Sequence, residues 1–169
     1  MKQTVLKYGG YGLVTALVLF LLALALGKGL SYSKQEVLGY VTIVSSLSFI
    51  YFGIKHYRDK VNDGVVNFGT ALGIGMLIAV LVGLGIGIAD YIYTTVINPD
   101  FMTEYMDYTL KTMEETLSPE EFALKKAEME TQMEAFGSSS ALAVVMFLTV
   151  VIIGFIVSIL SGLILQRKN

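Results

Sequence analysis

The chain reads as all-α: a four-helix transmembrane bundle with an extracytoplasmic amphipathic helical hairpin between spans 3 and 4. Three observations predict this. Of 169 residues, 54% are hydrophobic and only 15% charged, a balance that soluble domains of this length rarely show. The apolar residues concentrate in four uncharged runs, Tyr8–Gly27, Val37–Ile54, Val65–Ala89 and Ala135–Gln166, of 20, 18, 25 and 32 residues. A helix needs about 20 apolar residues to cross about 30 Å of hydrocarbon, and open strands cannot cross lipid because their backbone groups go unpaired. Finally, the acidic stretch after the third run repeats its apolar residues at helical spacing. The whole chain, residues 1–169, is read as one integral membrane domain. Its spans are placed at about 8–29, 37–54, 65–96 and 138–165, and its outer insertion at about 98–137.

The first span follows Lys2 and Lys7 and carries Gly9, Gly12, Ala16 and Ala23 as a small-residue seam. Ala23 and Ala25 form an A-x-A of the kind that signal peptidases cut. The apolar run is long for a signal core, however, and no polar mature region follows, so the span is expected to be retained. The second span, the shortest, offers Gly39, Thr42, Ser46, Phe49 and Gly53 at heptad spacing.

Between spans 2 and 3 lies "KHYRDKVNDG". Placing both termini inside puts Lys2, Lys7, Lys55, Arg58, Lys60, Arg167 and Lys168 on one side, against only Asp59 and Asp63. The opposite short loop holds Lys28, Lys34 and Glu36. Lys and Arg in short loops set orientation, so both termini and this turn are expected in the cytoplasm. Lys55, Arg58 and Lys60 are read as topogenic charges beside anionic headgroups, Tyr57 as an interfacial anchor, and Asn62, Asp63 and Gly64 as the turn itself. Arg58 and Asp59, adjacent in sequence, need not pair with each other.

The third span carries two G-x-x-x-G pairs, Gly69/Gly73 and Gly83/Gly87, on one helical stripe, and the fourth carries Gly154, Ser158 and Gly162 at spacing four. Helices associate in lipid by close backbone approach at small residues, so these seams predict a tightly packed bundle without a wide channel. Asp90 is the one acid near a span. It has two readings: an interfacial group bonded to a Tyr or Ser on a neighbouring helix, or a site that handles protons or cations.

The insertion holds ten acids against Lys111, Lys125 and Lys126. Met102, Met106, Leu110, Met113 and Leu117 predict a helix from about Asp100 to Thr116, widened by Phe101, Tyr105 and Tyr108 and preceded by Pro99. "SPEE" then gives Ser118 as N-cap, Pro119 at the first helical position and Glu121 three residues on, a capping-box signature. The second helix presents Phe122, Met129, Met133 and Phe136, and Gly137 offers a stop. Five of eight methionines fall here. They occupy faces that need burial, so packing accounts for them better than copper does. No D-x-D-x-D-G loop accompanies the acids, so no calcium site is expected.

With no cysteine and a single histidine, His56, the chain lacks thiolate chemistry and any multi-histidine metal site. Nucleophile elbow, phosphate loop, H-E-x-x-H and paired intramembrane acids are all missing, and "GLGIGIAD" lies within an apolar span with no strand before it. No catalytic, metal or cofactor site is therefore expected, and nothing points to nucleic acid.

"GIKHYRDKVNDGVVNFGTALGIG", followed after one span by "INPDF" and an acidic segment, resembles a family of short bacterial membrane proteins of unknown function, found largely in the Bacteroidota. The resemblance rests on Gly53, Ile54, Lys55, Tyr57, Arg58, Asp59, Gly64, Phe68, Ala71, Gly73, Pro99, Asp100 and Phe101. It implies four spans and an inner-membrane location, and no known activity. His56 stands at a position that looks variable in that family.

The functional expectation is a non-enzymatic membrane module. It would engage a membrane or periplasmic protein, or lipid, through Lys55, Tyr57, Arg58, Asp59 and Lys60 inside, or Pro99, Asp100, Phe101 and Tyr105 outside. The alternative is a small oligomeric transporter or ion-handling protein using Asp90. The bilayer itself and a second copy of the chain complete the expected partners.

Overall fold

The computed structural model describes residues 1–27 and 29–167. Lys28 and Lys168, both used above to assign sides, lie outside the described residues. Among the described residues there are six helices: α1 Lys2–Leu26, α2 Tyr32–His56, α3 Phe68–Ile92, α4 Phe101–Thr116, α5 Pro119–Phe136 and α6 Ser139–Leu165. Helices α2 and α3 run on into one wide π-type turn each, Tyr57–Val61 and Tyr93–Ile97, closed by Asn62 N–H to Tyr57 O (3.0 Å) and Asn98 N–H to Tyr93 O (2.8 Å). Each is thus 30 residues of continuous helix, about 45 Å at 1.5 Å per residue, close to a whole bilayer with its headgroups. Four helices (α1, α2, α3 and α6) are long and apolar enough to span a membrane.

The helices overrun the expected spans because a helix need not stop where hydrocarbon stops. Ser31, at φ −60° and ψ 147°, starts α2 five residues before the apolar run, and Lys34 and Glu36 sit exposed in its first turns. Likewise α1 begins at Lys2 and carries its basic residues along.

Helix α3 is the core of the bundle. It packs most extensively on α6, then on α1, then on α2. Ile74, Ile78, Val82 and Ile86 recur every four residues along it and are fully buried, as are Ala71, Ala79 and Ala89. They meet Leu47, Ile50 and Ile54 of α2 and Val150 of α6. Lipid tails are as apolar as these side chains, so close van der Waals approach rather than water exclusion holds the helices together. A Cβ on Gly75 would stand 2.5 Å from Ser158 Oγ, and one on Gly85 would stand 2.5 Å from the Leu13 carbonyl oxygen. Gly154 closes in the same way on Ala79, and Gly53 on Ile78. The buried hydroxyls of Ser46 and Ser158 are satisfied within their own helices, donating to Thr42 O (2.9 Å) and Gly154 O (2.6 Å).

The stripe expected on α3 is only partly a contact face. Gly83 and Gly87 lie against Phe147 and Ala143 of α6, but no heavy atom lies within 4 Å of a Cβ placed on Gly73, and Gly69 would meet only Asn67 Oδ1 at 3.6 Å. The straight seven-residue extrapolation fails because Gly69 and Gly73 belong to the first turns, where Phe68 reaches α6 instead and lies 3.2 Å from a Cβ on Gly162. The closest approaches fall at Gly75 and Gly85, outside either pair.

At the end holding both termini, Asp63 (φ 49°) and Gly64 (φ 84°) turn the chain from α2 toward α3. Asn67 then caps α3 by accepting from Thr70 N–H at 2.8 Å. At the opposite end α4 and α5 form the expected hairpin. Its capping box is complete: Ser118 Oγ accepts from Glu121 N–H (3.4 Å), and the Glu121 carboxylate accepts from Ser118 N–H (3.1 Å) and hydroxyl (2.7 Å). The Ser118 donors hold the Glu121 carboxyl below the usual carboxylate range. Gly137 does not adopt the left-handed stop that its sequence position invited. Its φ is −76°, and it is needed instead because a Cβ would stand 2.5 Å from Met133 O.

Candidate functional site

The two ends of the bundle hold the two groups of candidate residues, and they are built differently. At the terminal end, Arg58 is buried and bonded within the protein. Its Nε and Nη2 donate to both carboxylate oxygens of Asp59, at 2.6 and 3.1 Å, and its Nη1 donates to Leu165 O at 3.3 Å. Adjacency did not prevent the pair from forming, because the wide turn swings both side chains to one side. An orphan carbonyl at the end of α6 thereby gains a charged donor. Beside it, Val66 and Arg167 exchange backbone bonds at 3.2 and 2.9 Å, tying the segment after α6 to the turn. Tyr57 packs against the core, while Lys55 and Lys60 remain exposed. His56 rests against Tyr8, ring centroids 5.2 Å apart, with its Nδ1 buried and unbonded among the described residues.

At the hairpin end the packing opens. Phe101 and Tyr105, expected as outward contacts, turn toward the bundle: Phe101 stands 5.4 Å from Tyr93, and Tyr32 stands 5.5 Å from Tyr105 and 4.7 Å from Tyr108, ring to ring. Pro99 and Asp100 form the turn into α4, and Asn98 Nδ2 donates to Glu104 at 3.0 Å across it. Between this aromatic cluster and the spans lies a cavity of about 660 Å³, within the roughly 300–1,000 Å³ of ordinary small-molecule sites. All four spans and α4 wall it. Phe20, Ile43, Leu142 and Met146 make its apolar side, and Met102 and Met113 of α4 roof it. A smaller polar hollow of about 310 Å³ adjoins it past Tyr32 and Phe101.

Asp90 lines this cavity, and the interfacial bond expected of it is not made. Its Oδ2 is buried and accepts no hydrogen bond among the described residues. Glu36, exposed at the mouth, is the only other charged residue among those described that line the cavity. Around the two acids stand Tyr32, Tyr40, Tyr93, Tyr105 and Tyr108. Of these, Tyr105 and Tyr108 belong to α4's apolar face, Tyr93 to the interfacial stretch "DYIYTT", and Tyr32 and Tyr40 carry no motif. The one sequence signal for them is tyrosine density near the span ends, which an interfacial belt explains equally well. Among the described residues no group of three or more His, Asp or Glu side chains could hold a metal ion.

Compared with known proteins, residues 7–167 match the model of a family described as "Protein of unknown function (DUF4199)". No curated protein and no solved structure matches the chain.

Proposed function

From a chain that belongs to the DUF4199 family, whose description carries no activity, we propose a function on geometry alone: a non-enzymatic membrane module that takes an amphiphile into the cavity beneath its hairpin. The carrying observation is the cavity itself, walled by every span and roofed by α4, with apolar sides and a few polar groups, chiefly Asp90, Glu36, the tyrosines and the threonines of α4 and α6. A concave apolar site with a few convergent polar groups is the usual form of a ligand pocket. The excess of Lys and Arg at the terminal end supports a hairpin outside the cytoplasm, with the ligand entering from the outer leaflet or the space beyond it. Docking of a protein partner on the basic turn is less well supported, since Arg58 is already bonded to Asp59 and Leu165.

Ion handling through Asp90 is the second reading, favoured by its unbonded oxygen. It requires a path onward, and beyond the cavity the bundle is filled by Leu47, Ile50, Ile54, Ile74 and Ile78, none of them exposed.

The test is saturable binding of an uncharged fluorescent alkyl glycoside to the protein in nanodiscs of zwitterionic lipid. Binding should weaken in Gly39→Leu, which places a side chain in the cavity where a Cβ meets only Phe20 at 3.7 Å. Non-saturable uptake, or binding that Gly39→Leu leaves unchanged, would overturn the proposal.

A further inference from the structure

We infer that the occupant of this cavity is a cationic amphiphile, an alkyl chain bearing a quaternary or protonated amine; the inference rests on the cavity being a ligand site as proposed above. Three features favour a cation. The charged residues among the described ones lining the cavity are Glu36 and Asp90, both acids, and none of those described lining residues is Lys, Arg or His. The buried oxygen of Asp90 has no donor among the described residues, and a buried carboxylate oxygen without a counter-charge or hydrogen bond is costly, so a ligand cation that approaches it gains more than it would in water. Finally, tyrosine rings ring the space: Tyr93 and Tyr32 near Asp90's end of the cavity, Tyr105 and Tyr108 in the roof and Tyr40 at the exposed wall. Aromatic faces carry negative quadrupole density and are the usual means of holding quaternary ammonium groups. The rings differ in use: Tyr32 already contacts Tyr105 and Tyr108, whereas no ring of the described residues pairs with Tyr40.

Chemistry also assigns the two ends of such a ligand. The alkyl chain fits along Phe20, Leu24, Ile43 and Met146, side chains that offer no hydrogen bond. The head belongs among Asp90, Glu36 and the tyrosines. An anionic amphiphile would face both acids with no compensating base. A neutral one would bury its tail equally well and leave the carboxylate as it stands.

The experiment displaces the uncharged fluorescent alkyl glycoside, in the same zwitterionic nanodiscs, with three competitors of equal chain length: dodecyltrimethylammonium, dodecyl maltoside and dodecyl sulfate. The wild type should prefer the ammonium over the maltoside by about tenfold or more, the scale of one desolvated cation–aromatic contact together with a counter-charge, and should reject the sulfate. Asp90→Asn should remove most of that preference, and Asp90→Glu should restore it. Tyr40→Leu, at an exposed site, should reduce the preference by a smaller factor. A wild type that binds the maltoside as tightly as the ammonium overturns the cation inference and leaves the amphiphile reading standing. A preference that survives Asp90→Asn also overturns it. If the glycoside shows no saturable binding at all, both fall together.

Discussion

The terminal half of the bundle and the hairpin half are built from the same four helices, yet one is dry and closed while the other holds a cavity. In the first half the helices meet through glycine and serine: Gly53 on Ile78, Gly75 on Ser158, Gly154 on Ala79. In the second half α3 still closes on α1 and α6 through Gly85 and Gly87, but large rings, Phe20, Tyr32, Tyr93 and Phe101, line the space toward α2 and α4. Residue size at the contact therefore sets helix separation, and helix separation decides whether there is room for a ligand. The two ends also treat charge in opposite ways. Arg58 is matched by a carboxylate and a carbonyl, whereas the buried oxygen of Asp90 is matched by nothing in the described protein.

The sharpest way to break this contrast is one substitution made in each half. Gly75→Leu must displace Ser158 and Ile50, and is expected to destabilise the bundle by at least the ~1–3 kcal/mol typical of overpacking. Gly39→Leu enters open space and gains about 1 kcal/mol of helix propensity, so its stability should equal or exceed the wild type's. Thermal unfolding of both variants in detergent compares them directly, and equal losses would mean that the two halves are packed alike.

A smaller effect is expected at the latch. Arg58→Ala removes the donor to Leu165 O and leaves Asp59 without its partner, a loss of roughly 1–3 kcal/mol for hydrogen bonds to a charged group. Faster proteolysis after α6, with unchanged amphiphile binding at the other end, is the expected pattern. Weakened binding in this variant would couple the two halves and blur the distinction.

The smallest effect lies in the hairpin. Ser118→Ala should cost about 1 kcal/mol of local helix stability, seen as faster amide exchange in the first turn of α5 with no change in bundle melting. Acid should mimic it. Because Glu121 is held below its usual range by Ser118, its contribution is complete above the unfolded carboxylate pKa and is lost as pH falls through the lower folded one. Exchange in α5 that stays unchanged as pH falls from above the unfolded carboxylate pKa through the lower folded one would contradict the capping-box account.

Much of this architecture is legible in the sequence, and the reason is local. Hydrophobic runs, the "SPEE" box and the Met102–Leu117 stripe each depend on residues a few positions apart, and each describes an element of the fold. What depends on the register between helices is not legible. Within α3 the G-x-x-x-G pattern pointed to Gly69 and Gly73, which touch no other helix, and passed over Gly75 and Gly85, which of that helix's glycines approach neighbours most closely. Arg58 and Asp59 pair only because a π-type turn carries them. The cavity was invisible for the same reason: Phe20, Glu36, Asp90, Tyr108 and Met146 come from five different helices and share no spacing.

The attachment of the hairpin has a mechanical consequence. Both of its strings of chain, Asn98–Asp100 and Gly137–Ser138, lead into α3 and α6, the most closely associated helix pair, and Ser139 Oγ fastens the two there by donating to Thr94 O at 3.3 Å. Its other grip is Tyr32, on α2 across the cavity. The hairpin is thus tied at its base to α3 and α6 and across the cavity to α2, where Tyr32 meets Phe101, Tyr105 and Tyr108, so a load on α4 is carried to three spans.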